Sequence, residues 1–130
     1  MRDLIEAAMA ARHKAHAPYS HFYVGAAVRD ERGRVFGGCN IENASYPQGW
    51  CAEPSAISAL IVAGGTRITE VAVMGNGETL CTPCGGCRQK IREFADGNIP
   101  IHCCAENGDL IRSFTLEELL PFSFGPEHRK

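Results

Sequence analysis

Apolar residues Leu4, Ile5, Ala8 and Met9 recur near helical spacing, which predicts a helix over residues 3–15 with Asp3 as its N-cap. His16-Ala17-Pro18 ends it, because a residue before proline avoids the helical region. Val24 to Arg29 and Val35 to Cys39 read as two strands, joined by a Glu31-Arg32-Gly33 turn with glycine where positive φ is needed. Asn40 to Gly49 is rich in Asn, Ser, Pro and Gly and reads as a loop. Ala52 to Ala63 is a largely apolar helix stopped by Gly64-Gly65. Ile68 to Met74 and Ile99 to Cys104 are strands, and between them Cys87, Ile91 and Phe94 share one face of a helix over 85–94. Asn107-Gly108 is a type I′ turn signal leading into a strand from Leu110 to Phe114. Thr115 can cap a short helix, Leu116 to Leu120, which Pro121 follows. The order α-β-β-α-β-α-β-β-α predicts an α/β fold: a three-layer α-β-α sandwich around a mixed five-stranded sheet, with hairpins at both ends and crossover helices between.

A length of 130 residues predicts one domain over 1–130. Against 15 acidic residues stand 13 basic ones, a net charge of −2. That balance excludes a generic phosphate-backbone binder and a polybasic membrane anchor, so neither nucleic acid nor membrane is an expected partner. No apolar run approaches the ~18 residues of a membrane span. The start lacks the apolar core of a signal peptide, since Glu6 interrupts it, and a cytoplasmic location is expected. Seven cysteines in such a chain read as reduced thiols, some of them on a metal.

Two clusters carry chemistry, Cys51-Ala52-Glu53 and Pro83-Cys84-Gly85-Gly86-Cys87, each where a helix begins. Helix N-termini offer free N–H groups and a dipole that favour thiolates. Three thiolates with one position left open is the layout of a catalytic zinc site, whereas a structural zinc wants a fourth protein ligand. A non-ligand Glu before P-C-x-x-C is the zinc-deaminase pattern, in which the carboxylate takes a proton from water and returns it to substrate. Here cysteine replaces the usual histidine before Ala-Glu. Cys81, Cys84 and Cys87 also resemble part of an iron–sulfur run, but Ile91 stands where a fourth cysteine would be needed. A Cys84/Cys87 redox dithiol leaves Cys51 and Glu53 unexplained. Cys81 reads as a strand-end core thiol, and Cys39, Cys103 and Cys104 as buried ones. Cys103 and Cys104, adjacent on a strand, face opposite ways and share no metal. The five histidines have no motif spacing to a cysteine and read as surface or core residues.

Through nearly its whole length the sequence resembles the small, homotetrameric class of cytidine deaminase. The resemblance runs through Tyr19-Ser20-His21-Phe22, Val24-Gly25-Ala26-Ala27, Gly38-Cys39-Asn40-Ile41-Glu42-Asn43-Ala44 and Tyr46-Pro47. It continues through the two cysteine clusters to Arg88-Gln89, Leu119-Leu120-Pro121 and Phe124-Gly125-Pro126. It implies that Cys51, Cys84 and Cys87 hold Zn²⁺ and that Glu53 shuttles protons. Asn40 and Glu42 would bind the ribose hydroxyls, Phe22 would pack on the pyrimidine, and Ala52 would line the substrate site. Phe124 would complete a neighbouring subunit's site in a homotetramer. The implied reaction is hydrolytic deamination of cytidine and deoxycytidine: zinc-bound hydroxide attacks C4, Glu53 protonates N3, and ammonia leaves.

Two positions depart from that pattern. Pro54 stands where the family has an arginine after Cys-Ala-Glu. Three thiolates and Zn²⁺ sum to −1, and proline brings no charge to offset it, so a less acidic metal-bound water is expected unless Arg88 or another group substitutes. Tyr23 stands where proline is usual after Phe22. The alternatives are a deaminase of a modified cytosine nucleoside such as blasticidin S, which the Asn-Ile-Glu ribose signature disfavours, and a non-catalytic zinc-stabilised binding module, which has no use for Glu53.

Overall fold

Five segments pair into one mixed sheet: β1 (Gly25–Asp30), β2 (Val35–Cys39), β3 (Ile68–Met74), β4 (Pro100–Cys104) and β5 (Leu110–Thr115). The computed structural model describes residues 1–129. Strand order is β2-β1-β3-β4-β5, with β3 and β4 parallel and every other pair antiparallel. The two hairpins therefore close the two edges, and the parallel pair is joined by a helix, as strands running the same way require.

Both hairpins turn on a left-handed glycine. Gly33 has φ 81° and donates to the Asp30 carbonyl at 3.1 Å. Gly108 has φ 93° and donates to the Ala105 carbonyl at 2.9 Å. The type I′ expectation at Asn107-Gly108 is corrected: Gly108 alone is left-handed while Asn107 is not, and the β4/β5 register shifts between Cys103 and Cys104, just before the turn. The Asn107 side chain instead accepts the Asp109 N–H at 3.0 Å.

Helix α1 (Arg2–Arg12) covers one face of the sheet, packing Leu4, Ile5 and Ala8 on Ala27, Ala72, Met74 and Cys104. Asp3 does not cap it. Met1 holds the N-cap position, and the Asp3 carboxylate pairs with Arg29 of β1 at 2.8 Å. The helix also stops earlier than the spacing predicts, at Arg12, whose guanidinium turns onto the Tyr23 carbonyl at 3.0 Å and Asn76 Oδ1 at 2.6 Å.

The other face carries α2 (Ala52–Val62), α3 (Gly85–Arg92) and α4 (Leu116–Leu119). Leu60, Ile91 and Leu116 from these helices meet Val28, Val71, Val73 and Ile101 in the larger core. Cys103 lies in this core and Cys104 in the other, so the adjacent thiols do face opposite ways. The three-layer α-β-α sandwich is thus present. Thr115 caps α4 in a capping box with Glu118. Left-handed Gly64, φ 90°, ends α2. Helix α3 ends two residues before Phe94. Two short 3-10 turns, Tyr46–Gln48 and Pro126–Arg129, carry no periodic signal in the sequence. Among the described residues, no helix is long and apolar enough to cross a membrane.

One close approach seats α2. A Cβ on Gly38 of β2 would lie 2.3 Å from the Ala56 nitrogen and 2.6 Å from the Ala52 carbonyl oxygen. Only a residue without a side chain lets the strand meet the first turns of α2 so closely. Gly38→Ala is expected to cost about 1–3 kcal/mol by overpacking, read as a lower Tm, and to displace the start of the helix that carries Cys51 and Glu53.

Candidate active site

The start of β1, the end of β2 and the end of β3 lie together, since Gly25 pairs with both Cys39 and Met74. The N-termini of α2 and α3 open toward the same end. Cys51 is the N-cap residue of α2 and Cys84 that of α3, both in extended backbone conformation. Cys87 sits one turn into α3 and is 1% exposed. The three sulfurs lie within 4.8 Å of one another, Cys84 and Cys87 at 3.5 Å. Thiolates sharing one tetrahedral zinc stand ~3.8 Å apart, given Zn–S bonds of ~2.3 Å. The donor set therefore fits zinc, with one position left over.

The sulfurs do not share one electrostatic environment. The backbone N–H groups of Cys87 and Gly86 point at Cys84 and hold its thiol below the usual range, the effect expected at a helix N-terminus. Burial raises Cys51 and Cys87, and the neighbouring Glu53 carboxylate raises both further. Such a set asks for a cation at its centre. Glu53 occupies the second position of α2 and is 4% exposed. Burial pushes its carboxyl up, opposed by its own backbone N–H, by the Cys87 thiol and least by the ammonium of Lys90.

A cavity of 250 Å³ opens over this group, with Cys51, Ala52, Glu53, Cys84 and Cys87 along one side. Phe22, Val24 and Asn40 line it from the strands, and Cys81 and Thr82 from the loop after β3. Asn40 does structural work at the rim: its Oδ1 accepts the Val24 N–H at 2.9 Å and its Nδ2 donates to the Phe22 carbonyl at 2.9 Å. Asn76, which has no motif to flag it, holds the same segment from the other side. It accepts the Tyr23 N–H at 3.1 Å and donates to the His21 carbonyl at 3.0 Å.

Glu42 lies outside that cavity, in an adjoining one of 320 Å³ with Tyr19, Ser20 and Tyr46. Its carboxylate accepts the N–H groups of Tyr19 and Ser20 at 3.0 and 3.1 Å and the Ser20 hydroxyl. These donors hold its pKa below the usual carboxylate range, the hydroxyl most of all. Phe124 does not line its own chain's cavity. It is 57% exposed, stacks on His128 with ring centroids 5.1 Å apart, and its carbonyl accepts from Gln89 of α3 at 2.9 Å.

Two sequence expectations are corrected. Cys81 is no strand-end core thiol: β3 ends at Met74, and Cys81 is half-buried on the cavity wall. Arg88 makes no hydrogen bond to the sulfurs. Its nitrogens donate to the Pro83 carbonyl at 2.7 Å, the Leu119 carbonyl at 2.7 Å and Thr82 Oγ1 at 2.9 Å, tying the Cys84 loop to α4. Cys39 is half-buried rather than fully so. All seven cysteines are free thiols, and Cys51, Cys84 and Cys87 form the one metal-capable group among the described residues.

The family model of the cytidine and deoxycytidylate deaminase zinc-binding region matches residues 1–103. A cytidine deaminase of Sporosarcina psychrophila is 40% identical over 127 residues, which cover 98% of this chain and 93% of that one. The crystal structure of cytidine deaminase from Burkholderia pseudomallei is similar with a TM-score of 0.86 at 43% identity, over 94% of this chain and 97% of that one. That of Mycobacterium tuberculosis gives 0.82 at 36% identity, over 95% of each chain. Sequence, backbone and a three-sulfur cluster that fits zinc agree, and the chain belongs to the cytidine and deoxycytidylate deaminase family of zinc-dependent hydrolases.

Proposed function

We propose that residues 1–130 form one catalytic domain that hydrolyses cytidine and deoxycytidine to uridine and deoxyuridine, releasing ammonia. The observation that carries this reading is the meeting of Cys51, Cys84 and Cys87 with a buried Glu53 under one cavity that Phe22 and Asn40 also line. Cys51, Cys84 and Cys87 would hold zinc, which supplies a Lewis acid able to lower the pKa of water toward ~7. Glu53 would take a proton from water and deliver it to N3 of the ring, which opens C4 to attack by the hydroxyl oxygen; the proton of the new C4 hydroxyl then passes through Glu53 to the amino group, which leaves as ammonia as the C4–N bond breaks. A carboxyl whose pKa is raised by burial suits such two-way transfer. The cavity wall at Ala52 and the face of Phe22 hold the ring flat. Asn40 keeps Phe22 in place through its backbone and, with Glu42, receives the ribose hydroxyls; a carboxylate accepts from such a pair of donors.

We read the assembly as a homotetramer in the cytoplasm, acting on a small nucleoside and on neither nucleic acid nor membrane. Two features support assembly. Helix α2 presents apolar residues outward, with Val62 88% and Ile61 43% exposed, and Trp50 beside it is 47% exposed. Phe124 is also presented outward, away from its own site. In a homotetramer it would complete a neighbour's.

An absorbance assay on zinc-loaded protein tests the reading, offering cytidine, deoxycytidine, free cytosine and blasticidin S. Turnover of both nucleosides without free cytosine is expected, and Asn40→Ala should raise KM. No turnover of either nucleoside with zinc bound would sink it, and turnover of blasticidin S alone would move the substrate to a modified cytosine.

A further inference from the structure

Helix α3 carries the buried Cys87, and two of its other side chains hold the segment that follows α4. Gln89 Nε2 donates to the Phe124 carbonyl at 2.9 Å. Arg92 Nε donates to Ser123 Oγ at 2.8 Å, and Arg92 Nη2 pairs with Glu127. The same guanidinium lies against Gly125, where a Cβ would stand 2.4 Å from Arg92 Cζ and Nη1 and 2.5 Å from Nη2. It fills the space a side chain would need, so any residue but glycine would displace it. The backbone is thus tied to α3 at Ser123, Phe124, Gly125 and Glu127.

The rings of this segment face outward all the same. Phe122 is fully exposed and has φ 52°, a left-handed conformation that residues with a Cβ rarely adopt. Phe124 is more than half exposed, its ring backed by His128. A large aromatic gains most when it is covered, and a backbone ordered beforehand spares the cost of ordering it on contact. The surface that fits such a ring is on the same molecule. Phe22 lines the cavity over the sulfurs yet is 42% exposed, so the aromatic wall of that cavity is left open. Phe124 of the same chain does not reach it. A second copy can.

We propose that Gln89 and Arg92 are positioning residues that clamp the 122–127 arm to α3 and so present Phe124, already ordered, to the site of a second copy. The proposal rests on the reading that Phe124 completes a neighbour's site. Helix α3 then serves two sites, its own through Cys87 and the neighbour's through the clamp.

Mixed oligomers test it, because the clamp and the site it serves lie in different chains. Arg92→Ala, Gly125→Ala, Gln89→Ala and Phe124→Ala are each assayed with cytidine alone. Each is then co-expressed with Glu53→Gln, the two chains carrying different affinity tags so that mixed assemblies can be isolated. Alone, Arg92→Ala and Gly125→Ala should lower kcat/KM up to about 10²-fold, mostly through KM, the scale of a ~1 Å misplacement. Gln89→Ala, which removes a single hydrogen bond, should do less, and it carries the test should a larger change stop the chain folding. In the mixture the Glu53→Gln chain has a dead site and a sound arm. Sites of the clamp variant that face a sound arm should regain the wild-type KM, as should those of Phe124→Ala. A partner cannot repair a role confined to the variant's own fold. Recovery with Phe124→Ala but with none of the clamp variants therefore overturns the proposal and leaves the shared site standing. Wild-type KM in the clamp variants alone overturns it too. A monomeric wild type, wild-type kinetics in Phe124→Ala, or no recovery in any mixture overturns the shared site and the proposal together.

Discussion

Glu53→Gln is expected to cut turnover roughly 10²–10⁴-fold, the usual contribution of one positioned acid–base group, while zinc content and Tm stay at wild-type values. The carboxamide fills the same volume, so the side chain, 4% exposed, stays packed at the second position of α2. What it loses is the ability to take a proton and give it back. Because Cys51 lies two residues away and lines the same cavity, metal content is the necessary control. Loss of activity with zinc retained identifies Glu53 as the proton carrier. A variant that turns over cytidine within about tenfold of wild type would remove Glu53 from that role.

Cys87→Ala is expected to abolish both bound zinc and activity and to lower Tm. Cys87 is 1% exposed and reaches the sulfur cluster from inside α3, so its removal leaves two of the three sulfurs that meet there. The thermal effect follows from linkage. A ligand that binds only the folded chain stabilises it by about 2.7 kcal/mol at a hundredfold excess over its Kd, and the alanine variant forgoes that. Chelation of wild-type protein should produce a similar drop in Tm and no further drop in Cys87→Ala. Zinc retained at one per chain in the variant would show that the metal sits elsewhere.

Pairing by local chemistry explains why so much of the fold was legible. Periodicities of two and 3.6 are set by backbone geometry, so β1, β2, α2, β3 and the Thr115 cap of α4 could be read off their own segments. The metal cluster was legible for a related reason. Cys51 and Cys84 stand at helix starts, and a helix start presents its first side chains and N–H groups to one point beyond its end. Two such ends facing each other need only the fold class to bring them together.

The amino-acid sequence by itself determined the layer architecture, the two glycine-turned hairpins and which three cysteines form a metal-capable group, all properties of short stretches of chain. The tertiary structure alone decided where the long polar side chains went. Asp3 left the helix cap for Arg29 because β1 runs past it. Arg88 went to Leu119 rather than to the thiolates because α4 packs against α3. Glu42 turned to Tyr19 and Ser20, Asn76 reached the segment before β1, and Lys90 met Trp50 across the groove beside Pro54. Each of these partners lies far along the chain, and a flexible side chain takes the nearest unsatisfied group. Which group is nearest depends on strand order and helix packing, which no local spacing encodes.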